Sequence, residues 1–436
     1  MTETTRIKRI FRGAIQRGTG RAHLMMRDYP HINFSQEILK AAVTNYAYDP
    51  QCERSRGLYT VELINLSAQR EKLTRQVLQK LVEQKDNTWG LDQLFEIARL
   101  LAQAGNQEAR VAFYERLELG ASPGYACVGM YEAVKLDGVE GMKRAAAVIG
   151  KFLAANPEET EHEWLLNYAQ EHNPEVRVEE ELAKAAQHNT HIAYYLTAVQ
   201  ATRQREAEMP PRPAAPGFEF IRNNIENRTR KHLSASIVEK LNRQQIRLLA
   251  DAFLLETNRH RQEGYLLVFR HVKFPYGYEK LLALAQAPVR RTDRLVEHAV
   301  AALRFFKAPP IREFALTALT TSKEPWLYLD LLINHYRRGD HVLLTTLARQ
   351  ADSELAIENL ASSFIRIYQK HKTKESQEPL RKIYHRMNCG MHRADVVETM
   401  IRNGVLPDKI REEIPFDSYY AVREAHASLA AATSRM

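Results

Sequence analysis

The sequence predicts an all-α protein built from antiparallel helix pairs, and three observations support this prediction. Strict alternation of apolar and polar residues, which is typical of half-buried strands, is hard to find along the 436 residues. Only 18 glycines and 17 prolines interrupt the chain, and 44% of its residues are hydrophobic. A short phrase also recurs at a nearly even interval, each time where an amphipathic helix is predicted to begin.

The recurring phrase is marked by an arginine. It reads Asn106-Gln-Glu-Ala-Arg110, then Asn173-Pro-Glu-Val-Arg177 and Pro309-Pro-Ile-Arg312, with a weaker form that ends at Arg247. The four arginines are separated by 67, 70 and 65 residues. Because this interval is about twice the length of one helix-pair repeat in stacked arrays, the phrase predicts a repeat architecture.

Several helix ends can be placed from local chemistry. Asn156 and Asn173 are each followed by Pro and Glu, which predicts a capping residue, a proline in the first turn and an acid near the positive helix end. Leucine-rich segments on either side of Arg337–Asp340 predict an antiparallel helix pair with a short connection. Asn403 and Gly404 predict the end of another helix, because glycine adopts the left-handed conformation that closes helices.

The clearest break in the helical pattern lies at 206–217, where four prolines occur within seven residues. Proline lacks the backbone donor that a helix needs, so this segment is expected to be extended. It is either a linker between helical regions at 1–205 and 218–436 or a loop inserted into one continuous array. The arginine interval that spans it, 70 residues, is only slightly longer than the other two, which favours one array.

Between 289 and 319, a set of mostly small or apolar residues recurs with helical spacing on two consecutive predicted helices. They are Asp293, Val296, Ala299, Ala302 and Leu303 in the first helix, and Pro310, Ile311, Arg312, Ala315, Ala318 and Leu319 in the second. This pattern resembles a HEAT-type repeat, and the resemblance is clearest over about residues 242–350. It implies a right-handed α-solenoid of stacked helix pairs whose concave surface binds other macromolecules. It implies no particular activity.

Charge and cysteine content narrow the classes of protein. The formal net charge of +9 is a moderate excess for this length, and it favours attraction to nucleic acid or anionic surfaces. The three cysteines, Cys52, Cys127 and Cys389, are far apart and form no disulfide framework. No apolar segment approaches the roughly 20 residues of a membrane-crossing helix, and no signal peptide is expected. The sequence therefore predicts a soluble, cytoplasmic protein.

The N-terminal segment is basic and amphipathic. Between Glu3 and Asp28 every charged residue is basic, while Ile7, Phe11 and Ile15 fall on one helical face. The candidate phosphate-binding residues are Arg6, Lys8, Arg9, Arg12, Arg17 and Arg21. The backbone donors around Gly18 and Gly20 add a weak phosphate-loop signal. The segment either contacts phosphates or an anionic membrane, or it is a first helix that covers the end of the array.

One enzyme hypothesis follows from the HEAT-like resemblance. A HEAT-like family excises alkylated purines from DNA with tryptophan, aspartate and arginine on its concave face. Trp326 and Asp330 share a helix face here, and Arg366 follows at about one repeat. The resemblance implies base contact for Trp326, support of a cationic sugar for Asp330 and phosphate binding for Arg366. No tryptophan follows Trp326, so the second aromatic wall of that family is missing. The alternative is that Trp326 fills the core between helices.

Two segments, 265–278 and 304–307, interleave aromatic and basic residues. Such mixtures hold single-stranded nucleic acid by stacking and charge. Aromatic residues also fill the interfaces between paired helices, and we expect core packing here.

No motif for a nucleophile, a metal or a cofactor is complete. His385, Cys389 and His392 have the spacing of a partial zinc site without a fourth ligand, so neither metal nor cofactor is predicted. The sequence favours a non-enzymatic scaffold or regulatory module that binds another macromolecule on a concave helical-repeat surface. Protein is the favoured partner. The alternative is a nucleic-acid-binding protein, including a HEAT-like alkylpurine DNA glycosylase.

Overall fold

The computed structural model describes residues 2–85, 88–120, 128–209, 217–227, 233–290 and 294–433. Across these ranges the regular structure consists of α-helices and three short 3₁₀ helices, and no strand occurs. The prediction of an all-α protein is therefore confirmed. None of the helices in these ranges combines the length and apolar composition that crossing a bilayer requires.

The chain folds into two compact units. Unit 1 comprises residues 1–211, 388–394 and 408–436. Its helices are α1 (Glu3–Arg17), α2 (Arg21–Asp28), α3 (Ser35–Val43), α4 (Pro50–Glu53), α5 (Gly57–Leu66), α6 (Arg70–Glu83), α7 (Thr88–Gln103), α8 (Gln107–Glu118), α9 (Met130–Ala155), α10 (Trp164–His172), α11 (Val178–Ala186), α12 (Thr190–Glu208), α25 (Asp408–Glu413), η3 (Ile414–Phe416) and α26 (Tyr420–Thr433).

Unit 2 comprises residues 212–387 and 395–407. Its helices are α13 (Phe218–Asn227), α14 (Ala235–Val238), α15 (Arg243–Leu255), α16 (Arg259–Phe269), α17 (Glu279–Ala285), α18 (Leu295–Leu303), α19 (Pro309–Thr321), α20 (Trp326–Leu329), η1 (Asp330–Ile333), α21 (His341–Gln350), α22 (Glu354–Lys370), η2 (Lys374–Ser376) and α23 (Gln377–Tyr384). Helix α24 (Gly390–Asn403) begins in unit 1, and its residues from Asp395 onward belong to unit 2. The prediction of a break at 206–217 falls largely on Pro210–Pro216, which lie outside the described residues.

Helix α1 shows how the sequence forms the elements of unit 1. The Thr2 hydroxyl accepts from the Thr5 amide at the start of α1, and Gly18, at a φ of 72°, ends the helix in the left-handed conformation. Phe11 and Ile15 on its apolar face are buried among other residues of unit 1. The basic segment is therefore a packed helix with its apolar face covered.

Two predicted helix starts in unit 1 are wrong. Asn156 ends α9 and Asn173 ends α10, and no helix begins at either residue. The carbonyl of Asn156 accepts from the Glu159 amide at 3.1 Å, and that of Asn173 from the Val176 amide at 3.2 Å. At both places Asn and Pro therefore form the first two positions of a β-turn. These residues suit the start of a turn as well as they suit the start of a helix.

The predicted helix ends of unit 2 are confirmed. Asn242 forms a capping box with Gln245 at the start of α15, and α19 begins at Pro309. Helices lie on both sides of the turn Arg337–Asp340, and α24 ends just before Gly404, at a φ of 64°.

Alternate helices of unit 2 lie side by side. Helix α16 packs against α18, α18 against α20 and η1, and these against α22, while α17, α19 and α21 pack against members of this row. In the segment with the HEAT-like pattern, the core is made by the small and apolar residues that carry it. Buried there are Val296, Ala299, Ala302, Leu303, Ile311, Ala315, Ala318 and Leu319. Asp293 lies outside the described residues.

Candidate nucleic-acid interface

The two units differ sharply in charge. Unit 2 contains 31 Lys and Arg against 20 Asp and Glu, a net charge of +11, whereas unit 1 contains 31 against 33, a net charge of −2. The excess of +9 in the whole chain is therefore concentrated in one unit. Concentration of positive charge in one folded unit is the first feature expected of a nucleic-acid-binding region.

One edge of unit 2 is formed by the C-terminal ends of successive helices, which hydrogen bonds join together. The Arg304 guanidinium donates to the Arg270 carbonyl at 2.7 Å, and the Asn334 amide donates to the Arg304 carbonyl at 2.5 Å. Lys370 donates to the Asn334 side chain, and Asn403 donates to the Tyr368 carbonyl at 3.2 Å. Carbonyls at helix C-termini lack intrahelical partners, so side chains from the next helix satisfy them.

Basic residues occur at this edge once per helix pair. Arg270, Arg304, Arg337, Lys370 and Arg402 lie at or just beyond the ends of α16, α18, η1, α22 and α24, at intervals of 34, 33, 33 and 32 residues. These five residues and three neighbouring lysines form a set that we call the basic edge. Its members are Arg270, Lys273, Arg304, Lys307, Arg337, Lys370, Lys372 and Arg402. The negative end of each helix dipole favours cations at these positions.

Most of these cations have no anionic partner. Within the described part of the chain, Arg304 is the member of the basic edge that forms an ion pair, with Asp330 at 3.6 Å. Lys273, Lys307, Arg337 and Lys372 are exposed. Exposed cations without carboxylate partners remain available to phosphates.

Burial is the main cause of the pKa shifts in this region, and neighbouring cations add to it. Burial lowers the pKa of Arg270, Glu297 opposes this shift, and Arg294 and Arg304 lower the pKa further. Burial lowers the pKa of His298 to about 3, with added repulsion from Arg270 and Arg294, so this ring is neutral at physiological pH. Neighbouring cations thus disfavour further protonation along this edge.

Asp330 lies beside the basic edge and binds two arginines. Its carboxylate accepts from the Ser363 hydroxyl at 2.7 Å and from Arg366 at 2.8 Å, and it lies 3.6 Å from the Arg304 guanidinium. The side chains of Arg366, Arg304 and Asp330 are 46%, 29% and 19% exposed. We call these four residues the open cluster. It brings together two residues that the sequence singled out, Asp330 and Arg366.

Trp326 takes a separate position. It is half-buried and lines a shallow cavity of about 200 Å³ with Lys323, Leu347 and Leu360. The Asp330 carboxylate is already held by two guanidinium groups, which reduces its capacity to support a developing cation. The geometry therefore does not favour the glycosylase roles, which remain a prediction from the resemblance.

Two of the four arginines in the recurring phrase have equivalent partners. Arg110 binds Asp137 at 2.6 and 2.7 Å, and Arg312 binds Asp340 at 2.8 and 2.7 Å, 27 and 28 residues further along the chain. Arg177 pairs with Glu180, three residues further along, and both side chains are exposed, as is Arg247. The phrase therefore marks a shared structural ion pair in each unit and not a binding site.

The basic residues of α1 and of the start of α2 divide between solvent and the interior of unit 1. Arg6, Arg9, Arg12 and Arg21 are exposed, and Arg12 lies 3.5 Å from the Glu37 carboxylate. Lys8 and Arg17 are half-buried, and Arg17 belongs to a cluster inside the unit.

We call this interior group the sealed cluster. Its members are Arg17, Arg56, Arg393, Glu53 and Asp417. Arg393 and Asp417 are fully buried and joined by two hydrogen bonds, of 2.7 and 2.8 Å. Burial and the nearby Arg393 lower the pKa of Arg56 to about 10, against the opposing effect of Glu53.

The glycines at the end of α1 make room for the C-terminal segment of unit 1. The Gly18 carbonyl accepts from the Ser418 amide at 2.7 Å. A Cβ on Gly20 would lie 1.8 Å from the Glu413 carbonyl oxygen. Close backbone approach explains these glycines without a bound phosphate.

The aromatic residues of the mixed segments are mainly core residues, as expected. Phe269, Phe274 and Phe306 are buried, and Tyr278 packs against Phe306. In the described part of unit 2, Tyr276 is the one exposed aromatic side chain.

Sequence reasoning missed the basic edge. It searched for an amphipathic charge pattern within one segment, whereas the basic edge takes one residue from each helix pair. A search for basic residues repeating at intervals of 32 to 34 positions would have found it.

No protein-family model and no curated protein matches the chain. Among solved structures, it is similar to the crystal structure of an engineered protein from the Northeast Structural Genomics Consortium. That similarity has 12% sequence identity and a TM-score of 0.30, and it covers 90% of this chain and 94% of that chain. A similarity this weak carries no argument about fold or function.

Proposed function

We propose that the protein is a non-enzymatic module that binds nucleic acid along the basic edge of unit 2. The observation that carries the proposal is the recurrence of a cation at the ends of five alternate helices, from Arg270 to Arg402. Neighbouring helices in a packed layer lie about 10 Å apart, so these ends form a row about 40 Å long. A row of this length matches about one turn of a double helix or a comparable stretch of single strand.

The proposal keeps the helical array as a binding surface, as expected from the sequence, but replaces the protein partner by nucleic acid. The side-by-side row of α16, α18, α20 and α22 supports a HEAT-like array within unit 2, and arrays of this kind bind macromolecules through long surfaces. The sequence favoured a protein partner on the concave side. The net charge of +11 in unit 2 moves our proposal to a polyanion.

The test measures binding of labelled nucleic acid to the whole protein as the salt concentration is varied. Its first variant replaces Lys307, Arg337 and Lys372 of the basic edge with alanine, since all three are exposed and form no ion pair with described residues. We expect the affinity to fall about tenfold or more, and the slope of log K against log salt to decrease by about 0.9 per lost contact.

A matched control removes the same charge elsewhere in unit 2. Arg290 and Lys323 are exposed and follow the C-terminal ends of α17 and α19, and Arg349, which lies 3.8 Å from the Glu378 carboxylate, is exposed in the last turn of α21. Helix α19 begins beside the basic edge, since Arg312 donates to the His335 carbonyl at 2.6 Å. At about 1.5 Å per residue its far end lies about 20 Å away, beyond the screening length of physiological salt.

A comparison of the two variants distinguishes binding at the basic edge from general attraction by the net charge. Alanine at the three control positions should leave the affinity within about twofold of the parent. Equal losses in both variants would show attraction by net charge without a site. If the unsubstituted protein binds no nucleic acid at low salt, the proposal is contradicted. A protein partner would then again be the favoured hypothesis.

A further inference from the structure

We infer that the nucleic acid recognised by the basic edge is double-helical, and that it is bound through its phosphates without regard to sequence. This inference rests on the proposed function and specifies its ligand. It follows from what surrounds the cations, because single strands and duplexes require different neighbours for the same positive charges.

Recognition of single strands without sequence preference uses aromatic faces on which successive bases stack, each worth about 1–3 kcal/mol. The rings near the basic edge are engaged in packing. Phe306 is buried beneath Lys273, whose ammonium lies 5.2 Å from the ring centroid. The Arg304 guanidinium covers Phe305 at 5.0 Å.

Tyrosines near the basic edge are also occupied. The Tyr336 hydroxyl donates to Glu375 at 2.8 Å, and its ring packs against Tyr368 and His371. Tyr276 is 40% exposed, and its hydroxyl donates to Asp251. A single exposed aromatic ring among the described residues of unit 2 cannot form a stacking platform along five helix ends.

Charge alone favours a duplex. Double-stranded DNA carries one charge per about 1.7 Å of axis, and each neutralised phosphate releases about 0.9 counterion, against about 0.7 on a single strand. A duplex also presents its phosphates in a rigid line, whereas a flexible strand must be ordered on binding. A row of cations at regular intervals on packed helix ends therefore suits the stiffer and more highly charged ligand.

Sequence readout needs side chains that reach base edges in a groove. Two of the four arginines of the basic edge are committed to protein groups: Arg304 donates to the Arg270 carbonyl, and Arg270 lies 3.4 Å from the His298 ring nitrogen. The exposed lysines, in contrast, are point charges suited to phosphate. We therefore expect contacts to the backbone of the duplex.

The test compares, with the whole protein, a duplex of about 24 base pairs, each of its separated strands, a second duplex of unrelated sequence and the matching RNA duplex. We expect the duplex to bind at least about tenfold tighter than either strand, and the two DNA sequences to agree within about threefold. The RNA duplex should also bind, because it offers the same phosphate chemistry.

Two variants test whether binding depends on the cations of the basic edge or on base stacking. Alanine at Lys307, Arg337 and Lys372 should weaken duplex binding, whereas Tyr276→Ala should change neither duplex nor single-strand binding. Single strands that bind as tightly as the duplex, above all if Tyr276→Ala weakens them, would overturn the inference and leave the proposed function standing. A preference of more than about tenfold for one duplex sequence would also overturn it. Failure to bind any of the five ligands would contradict the proposed function itself.

Discussion

The sealed cluster of unit 1 and the open cluster of unit 2 both contain arginine guanidinium groups paired with an aspartate carboxylate. They differ in how far water reaches these groups. In the sealed cluster, Arg393 and Asp417 are both 0% exposed. In the open cluster, Arg366 and Asp330 form an equally short contact, of 2.8 Å, but nearly half of the Arg366 side chain is exposed. The contact distance therefore does not reveal the role of an arginine–aspartate pair, whereas its burial does.

The difference has an electrostatic cause. A charge that has left water must be matched by a nearby opposite charge and by hydrogen bonds, so the sealed cluster has no capacity for a ligand. In the open cluster water can solvate the guanidinium groups, and donors of Arg304 and Arg366 can turn to another anion at little cost. The sealed cluster therefore holds unit 1 together, while the open cluster can take part in binding.

The largest effect is expected in the sealed cluster. Asp417→Asn should lower the free energy of unfolding by about 3–5 kcal/mol, because it leaves the Arg393 guanidinium buried without its counter-charge. Urea unfolding followed by circular dichroism measures this change. A loss below about 1 kcal/mol would show that water reaches the cluster and would remove the contrast between the two regions.

An ion pair of intermediate burial should have an intermediate effect. Arg312→Ala breaks its two bonds to Asp340 and one to the His335 carbonyl, and we expect a loss of about 2–3 kcal/mol. Thermal unfolding of this variant should be compared with that of Arg177→Ala, which removes an exposed pair and should leave the melting temperature unchanged. Equal shifts in the two variants would mean that burial does not rank these pairs.

The pH dependence of unit 1 offers a third test. Burial raises the pKa of Glu62, but hydrogen bonds from His23 and Arg423 outweigh it and lower the pKa to about 2, from 4.5. Because the folded-state pKa is depressed, the stabilisation is present above pH 4.5 and is lost as the pH falls toward 2.

Glu62→Gln should therefore destabilise the protein by about 1–2 kcal/mol at pH 7 and by almost nothing at pH 2, after allowance for partial exposure. Unfolding free energies measured from pH 7 to pH 2 check this expectation. A constant difference between variant and parent across that range would rule out the titration of Glu62 as its cause.

The smallest effect on stability is expected in the open cluster. Asp330→Asn should change the unfolding free energy by less than about 1 kcal/mol, because Ser363 can still donate to the amide oxygen and water can solvate Arg366. It should also raise the affinity for nucleic acid two- to threefold, since among the described residues Asp330 carries the negative charge that pairs with the basic edge. The glycosylase hypothesis predicts instead the loss of base release from alkylated DNA.

Local chemistry was a good guide where one interpretation dominated. The helix starts predicted near Asn242 and at Pro309 and the end at Gly404 are confirmed, because a single conformation satisfies each of these residues. Asn156 and Asn173 were misassigned because Asn-Pro also closes β-turns, and only the path of the following chain selects between the two.

The candidate site was less accessible to sequence reasoning. Asp330 and Arg366 were both singled out, but through a resemblance and for different roles. Their contact spans 36 residues and depends on how η1 packs against α22. The N-terminal arginines were more conspicuous because seven basic residues occur between positions 6 and 27 without an acid among them, yet Arg17 is turned into the sealed cluster.

By itself, the sequence determined that this protein is helical, since the spacing of apolar residues, the caps and the scarcity of strand patterns act within a few residues of one another. It also determined the excess of positive charge. Only the tertiary structure decided where that charge lies and which arginines are sealed, because burial and the alignment of helix ends are set by contacts between residues 24 to 34 positions apart. Such contacts leave no signal in any short stretch of sequence, and they separate a structural ion pair from one that is available to a ligand.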